Sequence, residues 1–287
     1  MHISEKKITA DLLQWVNSIR NQVAEADVLT LIALIRICHW YNADLQPQWN
    51  NLMNGLLADN PHLPYAKNDL ITALLASDVV MDYGNLQQRK IAGSYRQLLM
   101  EVMNSDNDNA HVLQAALTHM PMIPAPQLHI EVPRYNNDID SMMRATLSLI
   151  ETATYHGRLT VAAEPLLAAK IEAMSVCAQR YYDVSLAMRC LRVRNYLSSA
   201  PSLAMRTSVH FIENQQAADG SFGDYDSALV DIPEKNRHQA RLHIQLTVAL
   251  QVVWTLFELQ HPTNNLFKQL YLSHLDHTVT SMETAAC

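Results

Sequence analysis

The segment between residues 213 and 226 places the strongest constraint on this fold. It reads Glu213-Asn-Gln-Gln-Ala-Ala-Asp-Gly-Ser-Phe-Gly-Asp-Tyr-Asp226, and it holds two of the six glycines in the 287-residue chain, Gly220 and Gly223. An apolar segment with helical periodicity precedes it, and a longer one follows. Because glycine readily adopts the left-handed conformation that ends a helix, the segment predicts a compact turn between two packed helices.

Apolar residues recur at helical spacing along most of the chain, and no segment alternates as a strand would. Glycine and proline fall between the periodic segments, where they mark turns. Apolar spacing and capping residues predict about twelve helices, roughly at 7–22, 26–42, 46–58, 66–82, 86–104, 109–120, 138–156, 163–179, 182–198, 201–216, 237–260 and 264–278.

The predicted helices alternate in character. Val28–Tyr41, Leu70–Val80 and Leu242–Leu259 are apolar on most sides, which predicts burial on both faces, whereas Leu86–Met103 is amphipathic. The first three buried helices start about 41 residues apart, which indicates a weak internal repeat of helix pairs. We therefore expect an all-α fold over residues 1–287, a single domain of about six inner and six outer helices closed as an α/α toroid.

Three segments interrupt this pattern. Residues 121–137 contain four prolines, which exclude a helix and predict a stiff crossing between two halves. Residues 224–236 are acidic and polar, and we expect them to form a loop over one rim. Residues 279–287 are predicted to be a loose tail.

Composition and charge exclude several classes of partner. The formal net charge is −7 and no cluster of lysine or arginine occurs, so we expect no nucleic-acid partner. The longest uncharged apolar stretch is too short and too polar for a membrane span. The start of the chain lacks the apolar core of a signal peptide, and its four cysteines lack paired spacing, so a reduced, cytoplasmic protein is expected.

The residues of the turn carry a resemblance to a known family. Gln215 or Gln216, followed by Asp219-Gly220-Ser-Phe222-Gly223, resembles the glutamine-plus-aromatic repeat of terpenoid cyclases and protein prenyltransferases. The match covers residues 215–223 and extends, in helix order alone, over Tyr182–Leu259. The resemblance implies an α/α toroid, a cytoplasmic role in biosynthesis, and cyclase- or transferase-like chemistry if the protein is an enzyme.

A pair of acidic residues opens the helix that follows the proline-rich segment. Asp138 and Asp140 resemble the acid motif of class II terpene cyclases, in which the middle carboxyl group protonates the substrate, although Ser141 replaces the last carboxylate. The resemblance implies that Asp140 is the acid and that Asp138 modulates its pKa. Helix capping is the alternative role. Other buried helices start with similar residues: Asp27, Asp69 and Asp183.

Charged residues near the starts of the buried helices predict a polar pocket. The candidates are Asp69, Asp183, Arg189, Arg241 and His243. A charged side chain on so apolar a helix must either be paired or face a wet cavity. The sequence leaves both readings open.

Zinc is the cofactor that a prenyltransferase-like site would require. Asp183, Cys38 or Cys190, and His243 could supply its ligands, but no ligand spacing supports such a site. We therefore expect no cofactor and assign the cysteines to core packing.

Two functional hypotheses follow. The first is a catalytic or tailoring component that acts on a small apolar metabolite or peptide, with acid chemistry at Asp140 as its sharpest version. The second is a non-catalytic binding or scaffold protein that holds a partner peptide, helix or lipid in the ring.

Overall fold

The protein is all-α. The computed structural model describes residues 2–65, 70–105, 127–128, 139–154, 157, 162–163, 165–197, 202–223, 225–261, 266 and 269–270. The α-helices within these residues are α1 His2–Ile19, α2 Val28–Tyr41, α3 Gln46–Asp59, α4 Leu70–Tyr83, α5 Leu86–Ser105, α6 Ile139–Ala153, α7 Pro165–Arg180, α8 Val184–Asn195, α9 Leu203–Glu213 and α10 Glu234–Gln260. A short parallel pairing joins β1 Gln127–Leu128 to β2 Ala162–Ala163.

These helices confirm the sequence predictions that fall on described residues. The loop predicted at 224–236 is shorter than expected, because α10 begins at Glu234 and a 3₁₀ turn forms at Ser227–Leu229. The helix predicted at 109–120, the tail at 279–287 and most of the segment at 121–137 lie outside the described residues, as does most of the helix at 264–278. Among the described helices, only α10 is long and apolar enough to cross a membrane by length and composition, but it is mostly buried, so this is weak evidence for a span.

The chain divides into two compact units. The first comprises residues 1–107, 215–254 and 270–287, and the second comprises residues 108–214 and 255–269. Helix α10 contributes its first part to one unit and its last turns to the other. The prediction of one closed domain over 1–287 stays a prediction.

In the first unit, α2 is buried on nearly every side. Ten of its residues, from Val28 through Cys38, are buried, and Thr72–Val80 of α4 is buried as well. Helix α5 is amphipathic, with Gln88, Ala92 and Arg96 buried at a spacing of four residues. The predicted contrast between buried and amphipathic helices is therefore confirmed for these elements.

A buried ionic cluster connects α2, α4 and α5. Asp78 is fully buried, and its carboxylate accepts hydrogen bonds from Arg36 Nε at 2.6 Å and from Arg96 Nη1 at 2.8 Å. Arg36 also bonds Asp82 at 2.8 Å, and its guanidinium lies 4.7 Å from the ring centroid of Trp40. Since an unpaired charge is costly in such a place, the cluster specifies how the three helices pack.

The turn segment, defined as residues 215–223, is built as the sequence predicts. Gly220 and Gly223 have φ angles of 92° and 79°. Gly223 N–H donates to Gln215 O at 3.0 Å, and Asp219 Oδ1 accepts from the backbone N–H of Ser221 at 2.9 Å. The aromatic ring of Phe222 is fully buried.

The turn segment docks against α1. The sequence left open which glutamine matters, and the structure assigns the side-chain role to Gln216, whose Nε2 donates to Ile8 O at 3.2 Å and to Gly220 O at 3.1 Å. A Cβ atom on Gly220 would lie 2.1 Å from Asp11 O. Glycine is therefore required at residue 220 both for its backbone conformation and for this close approach.

The second unit contains a buried carboxylate of its own. Glu258 on α10 is fully buried and accepts hydrogen bonds from Tyr196 Oη at 2.8 Å and from the backbone N–H of Leu266 at 3.2 Å. Burial is the largest reason that the pKa of the Tyr196 phenol is raised well above its usual value, and the negative charge of Glu258 adds to it. The phenol therefore stays protonated and donates to Glu258.

We expect Asp78→Ala to lower the free energy of unfolding by about 3–5 kcal/mol, because it leaves two buried guanidinium groups without their shared partner. Urea unfolding monitored by circular dichroism measures the change. Asp44→Ala is the control, because Asp44 pairs with Lys6 at an exposed site, and it should change stability by less than about 1 kcal/mol. Equal effects of the two substitutions would contradict the structural role of the cluster.

Gly220→Ala should destabilise the protein by more than about 2 kcal/mol, since the left-handed backbone alone costs about 1–2 kcal/mol and the new methyl group must displace the turn segment from α1. Gly93→Ala is the matched control. Gly93 lies within α5, where a Cβ atom would make an ordinary contact 3.8 Å from Met81 Sδ, so this change should stabilise by about 0.5–1 kcal/mol. Thermal and urea unfolding of both variants compares them, and a tolerated Gly220→Ala would refute the docking.

Candidate functional site

The acidic residues predicted for catalysis are only partly described. Asp140 lies in the first turn of α6, but its side chain lies outside the described part of the structure, as does the whole of Asp138. Asp69, predicted to lie at the pocket, is also outside it. The acid role of Asp140 and the pocket role of Asp69 stay predictions.

Asp183 caps a helix in the second unit. Its Oδ1 accepts from the backbone N–H of Leu186 at 2.9 Å, at the start of α8. Its Oδ2 lies 3.2 Å from Arg144 Nη2 on α6. The capping role that the sequence offered as an alternative for such residues is therefore confirmed at Asp183.

Arg189 takes part in an ion-pair network in the second unit. Its Nε and Nη2 atoms bond the Glu151 carboxylate on α6 at 2.6–3.1 Å, and Nη2 also donates to Ser148 Oγ at 2.7 Å. Arg192 Nη2 approaches Glu151 Oε1 at 3.4 Å. Of the two readings that the sequence left open for Arg189, the structure supports pairing between helices.

Arg241 and His243 lie in the third turn of α10, in the first unit. Arg241 pairs with Asp226, so the loop before α10 is tied to that helix. His243 Nδ1 lies 2.6 Å from Asp27 Oδ1, in the 3₁₀ turn that precedes α2. Asp27 precedes α2 but makes no capping bond with its side chain, so its predicted capping role is wrong and its carboxylate bonds His243 instead.

The His243–Asp27 pair is asymmetric in its exposure. The carboxylate side chain of Asp27 is 9% exposed, whereas the imidazole of His243 is 63% exposed. One ring nitrogen therefore faces a buried acceptor while the rest of the ring faces solvent. Among the described residues, His243 is the one predicted site residue whose side chain is mostly exposed while its carboxylate partner is buried.

One more contact joins α10 to the chain that precedes α2. Gln239 Nε2 donates to Gln22 O at 3.0 Å, one helical turn before His243. Within α10, Thr247 Oγ1 donates to His243 O at 2.9 Å. The Gln239 bond holds the helix that carries His243 against residue 22.

His39 on α2 contrasts with His243. Burial, and then the positive charge of Arg36, lowers the pKa of its imidazole below the usual value. Its Nε2 lies 3.5 Å from Tyr83 Oη, which itself donates to Asn50 Oδ1 at 2.8 Å. His39 is thus a neutral, half-buried member of a polar cluster between helices.

The candidate zinc ligands are not gathered at one site in the described residues. Burial raises the pKa of the Cys190 thiol to about 12 and that of the Cys38 thiol still further, so neither forms a thiolate readily. Cys38 and His243 belong to the first unit, whereas Cys190 and Asp183 belong to the second. Over the described part of the chain, no group of three or more His, Cys, Asp or Glu side chains has an arrangement that could hold a metal ion.

Sequence reasoning missed the acidic partners of these residues. Asp27 was assigned to capping, and Glu151 was not singled out. A signal for Glu151 existed, because it adjoins Ile150 and lies one helical turn after Leu147 on the buried face of α6. A carboxylate on such a face requires a donor or a cation.

Comparison with known proteins adds no assignment: no family model, curated protein or solved structure matches this chain.

Proposed function

We propose that this protein is an α/α toroid that binds a small apolar metabolite or peptide and acts on it as a catalytic or tailoring component of a cytoplasmic biosynthetic pathway. The single observation that carries the proposal is the His243–Asp27 pair. It joins residues 216 positions apart in sequence and places an accessible polar group, in the third turn of α10, beside the start of α2.

Contacts inside the first unit support ring closure. Gln216 bonds Ile8, Gln239 bonds Gln22, and His243 bonds Asp27. Early and late helices of the chain are therefore in direct contact, as closure of a toroid requires. An open array of helix pairs, in which each pair contacts only its neighbours, would not bring these residues together.

The composition of the same region supports an apolar ligand. Helix α2 is buried along most of its length, and α10 is mostly buried between Leu242 and Glu258. Asp27, Arg241 and His243 provide polar groups beside these apolar segments, whereas Arg36 and Glu258, which are buried further along the same helices, are paired within the core. Ligand pockets combine an apolar wall with a few convergent polar groups, and this distribution fits that pattern.

A second candidate is a non-catalytic binding or scaffold role, with a partner peptide, helix or lipid as ligand. It is favoured by the engagement of Asp183 and Arg189 in a helix cap and an ion-pair network. Both were predicted to serve a pocket, and both have structural roles within the second unit.

Native mass spectrometry tests the proposal. Protein purified without denaturant should carry a non-covalent small molecule or peptide that dissociates in organic solvent, because a pocket with an apolar wall retains an apolar ligand. Refolded protein is the control and should show the mass of the chain alone, then recover the ligand from a cell extract. A ligand-free native protein that recovers nothing would overturn both candidate functions.

Asp140→Asn separates the catalytic candidate from the binding candidate. We expect the free energy of unfolding to change by less than about 1 kcal/mol, since asparagine and aspartate cap helices about equally well, while conversion of the retained ligand stops. Urea unfolding and product analysis by mass spectrometry measure the two effects. Asp183→Ala gives the scale for a lost cap, about 0.5–2 kcal/mol. A loss of several kcal/mol for Asp140→Asn would make Asp140 structural and remove the acid role.

A further inference from the structure

The orientation of His243 leaves one ring nitrogen available for chemistry. In a neutral imidazole one nitrogen donates and the other accepts a hydrogen bond. At 2.6 Å from Asp27 Oδ1, Nδ1 must carry the proton, because a carboxylate can only accept. The lone pair then lies on Nε2, on a ring that is 63% exposed.

We propose that His243 is a general base at the mouth of the ligand site, positioned by Asp27, and that Nε2 removes a proton from a hydroxyl group or a water molecule beside the bound ligand. This inference rests on the proposed function for its substrate, an apolar molecule that presents a hydroxyl group or an electrophilic carbon at the mouth. It assigns a role to a pair that the sequence left as a pocket residue and a helix cap.

Asp27 is suited to the positioning role. It lies at the end of the 3₁₀ turn Glu25–Asp27, where its backbone N–H donates to Ala24 O at 2.9 Å. Although it stands immediately before α2, its carboxylate does not cap that helix. A nearly buried carboxylate needs hydrogen bonds to remain charged, and the imidazole N–H supplies one.

The helix that carries His243 is held against the chain before α2. Gln239 lies four residues before His243, on the same side of α10, and donates to Gln22 O, while Thr247 bonds the His243 carbonyl group within α10. A base whose ring and backbone are both fixed loses little freedom when it meets its substrate, which is the condition for efficient proton transfer.

The pair Arg241–Asp226 does not interfere with this arrangement. Residues two apart on a helix project about 200° apart, so Arg241 points away from the side of α10 that carries His243. Its guanidinium is neutralised by Asp226. The imidazole is therefore oriented by Asp27 alone among the contacts that the described residues make with its ring.

His243 accepts and releases one proton in each cycle. The hydroxyl group or water gives its proton to Nε2 and keeps the electron pair of the broken O–H bond. Nδ1 keeps its own proton, and the imidazolium so formed is stabilised by the Asp27 carboxylate. The proton on Nε2 then passes to the product or to solvent, which restores the neutral ring.

Hydrolysis of 4-nitrophenyl acetate by the full-length protein tests the base with a defined probe. Water gives a proton to Nε2, its oxygen attacks the acetyl carbon, and the bond to the nitrophenolate anion breaks, so the release of nitrophenolate reports the rate. General-base catalysis contributes about 10²–10⁴-fold. We therefore expect His243→Gln to lower kcat/KM by at least about tenfold, with the loss mainly in kcat.

Variants at Asp27 and a control histidine make the test specific. Asp27→Asn should lower the rate by at least about tenfold, and Asp27→Glu should restore most of it because it keeps a carboxylate acceptor. His238→Gln is the matched control, since His238 is an exposed histidine on α10, and its rate should stay within about twofold of the wild type. Equal rates for His243→Gln and His238→Gln would overturn the proposal.

A spectroscopic readout checks the orientation independently of the rate. Nitrogen-15 NMR of histidine-labelled protein should show neutral His243 with its proton on Nδ1, and Asp27→Ala should shift the proton to Nε2, the form that free imidazole side chains prefer. A proton on Nε2 in the wild type would refute the positioning role of Asp27 whatever the probe rate.

The outcomes also separate this inference from the proposed function. The probe needs no natural ligand, so a His243-dependent rate in a protein that retains no ligand would overturn the proposed function and leave the base in place. A protein that retains its ligand but hydrolyses the probe independently of His243 would overturn the base and leave the ligand site.

Discussion

The pairing of charged groups within apolar helices is the constraint on which the rest of this structure depends. A charge removed from water is tolerated only with a partner of opposite sign or a set of hydrogen bonds. Asp78 meets this need through Arg36 and Arg96, and Glu151 through Arg189 and Arg192. In each case the carboxylate and its guanidinium partners lie on different helices. The pairing therefore determines which helices are neighbours as well as how they are oriented.

The same constraint distinguishes structural pairs from the candidate site. In the Asp78 cluster the Asp78 carboxylate and both guanidinium groups are buried, and Asp82 is only partly exposed. In the His243–Asp27 pair only the carboxylate is buried. A buried acid that holds an exposed base can exchange protons with a molecule outside the core, whereas a buried carboxylate that is shared by two buried guanidinium groups stabilises packing. This asymmetry, rather than the presence of a charge, makes His243 the stronger candidate.

Sequence periodicity predicted the helices well, because it reports a local property. The helix expected at 46–58 is found at Gln46–Asp59, and the one expected at 86–104 is found at Leu86–Ser105. Periodicity does not predict which charged residues pair, because the partners are far apart in sequence. Arg36 and Asp78 are 42 residues apart, and Asp27 and His243 are 216 residues apart. The turn segment was predicted only in part. Its glycines predicted the turn, but the sequence did not show which glutamine bonds the neighbouring helix. Gln216 has this role because the packed structure places the carbonyl group of Ile8 beside it.

Helix α1 connects the turn segment to the candidate site. The carbonyl groups of Ile8 and Asp11 receive the turn segment, and the chain just after the helix offers Gln22 O to α10. The helix ends at Ile19, and a three-residue connection leads from there to Gln22. The docking of the turn and the contact with α10 are therefore joined through one helix and a short connection. The turn segment docks on the same stretch of chain that leads into Asp27, which relates the glycine-rich turn to the candidate site as well as to the fold.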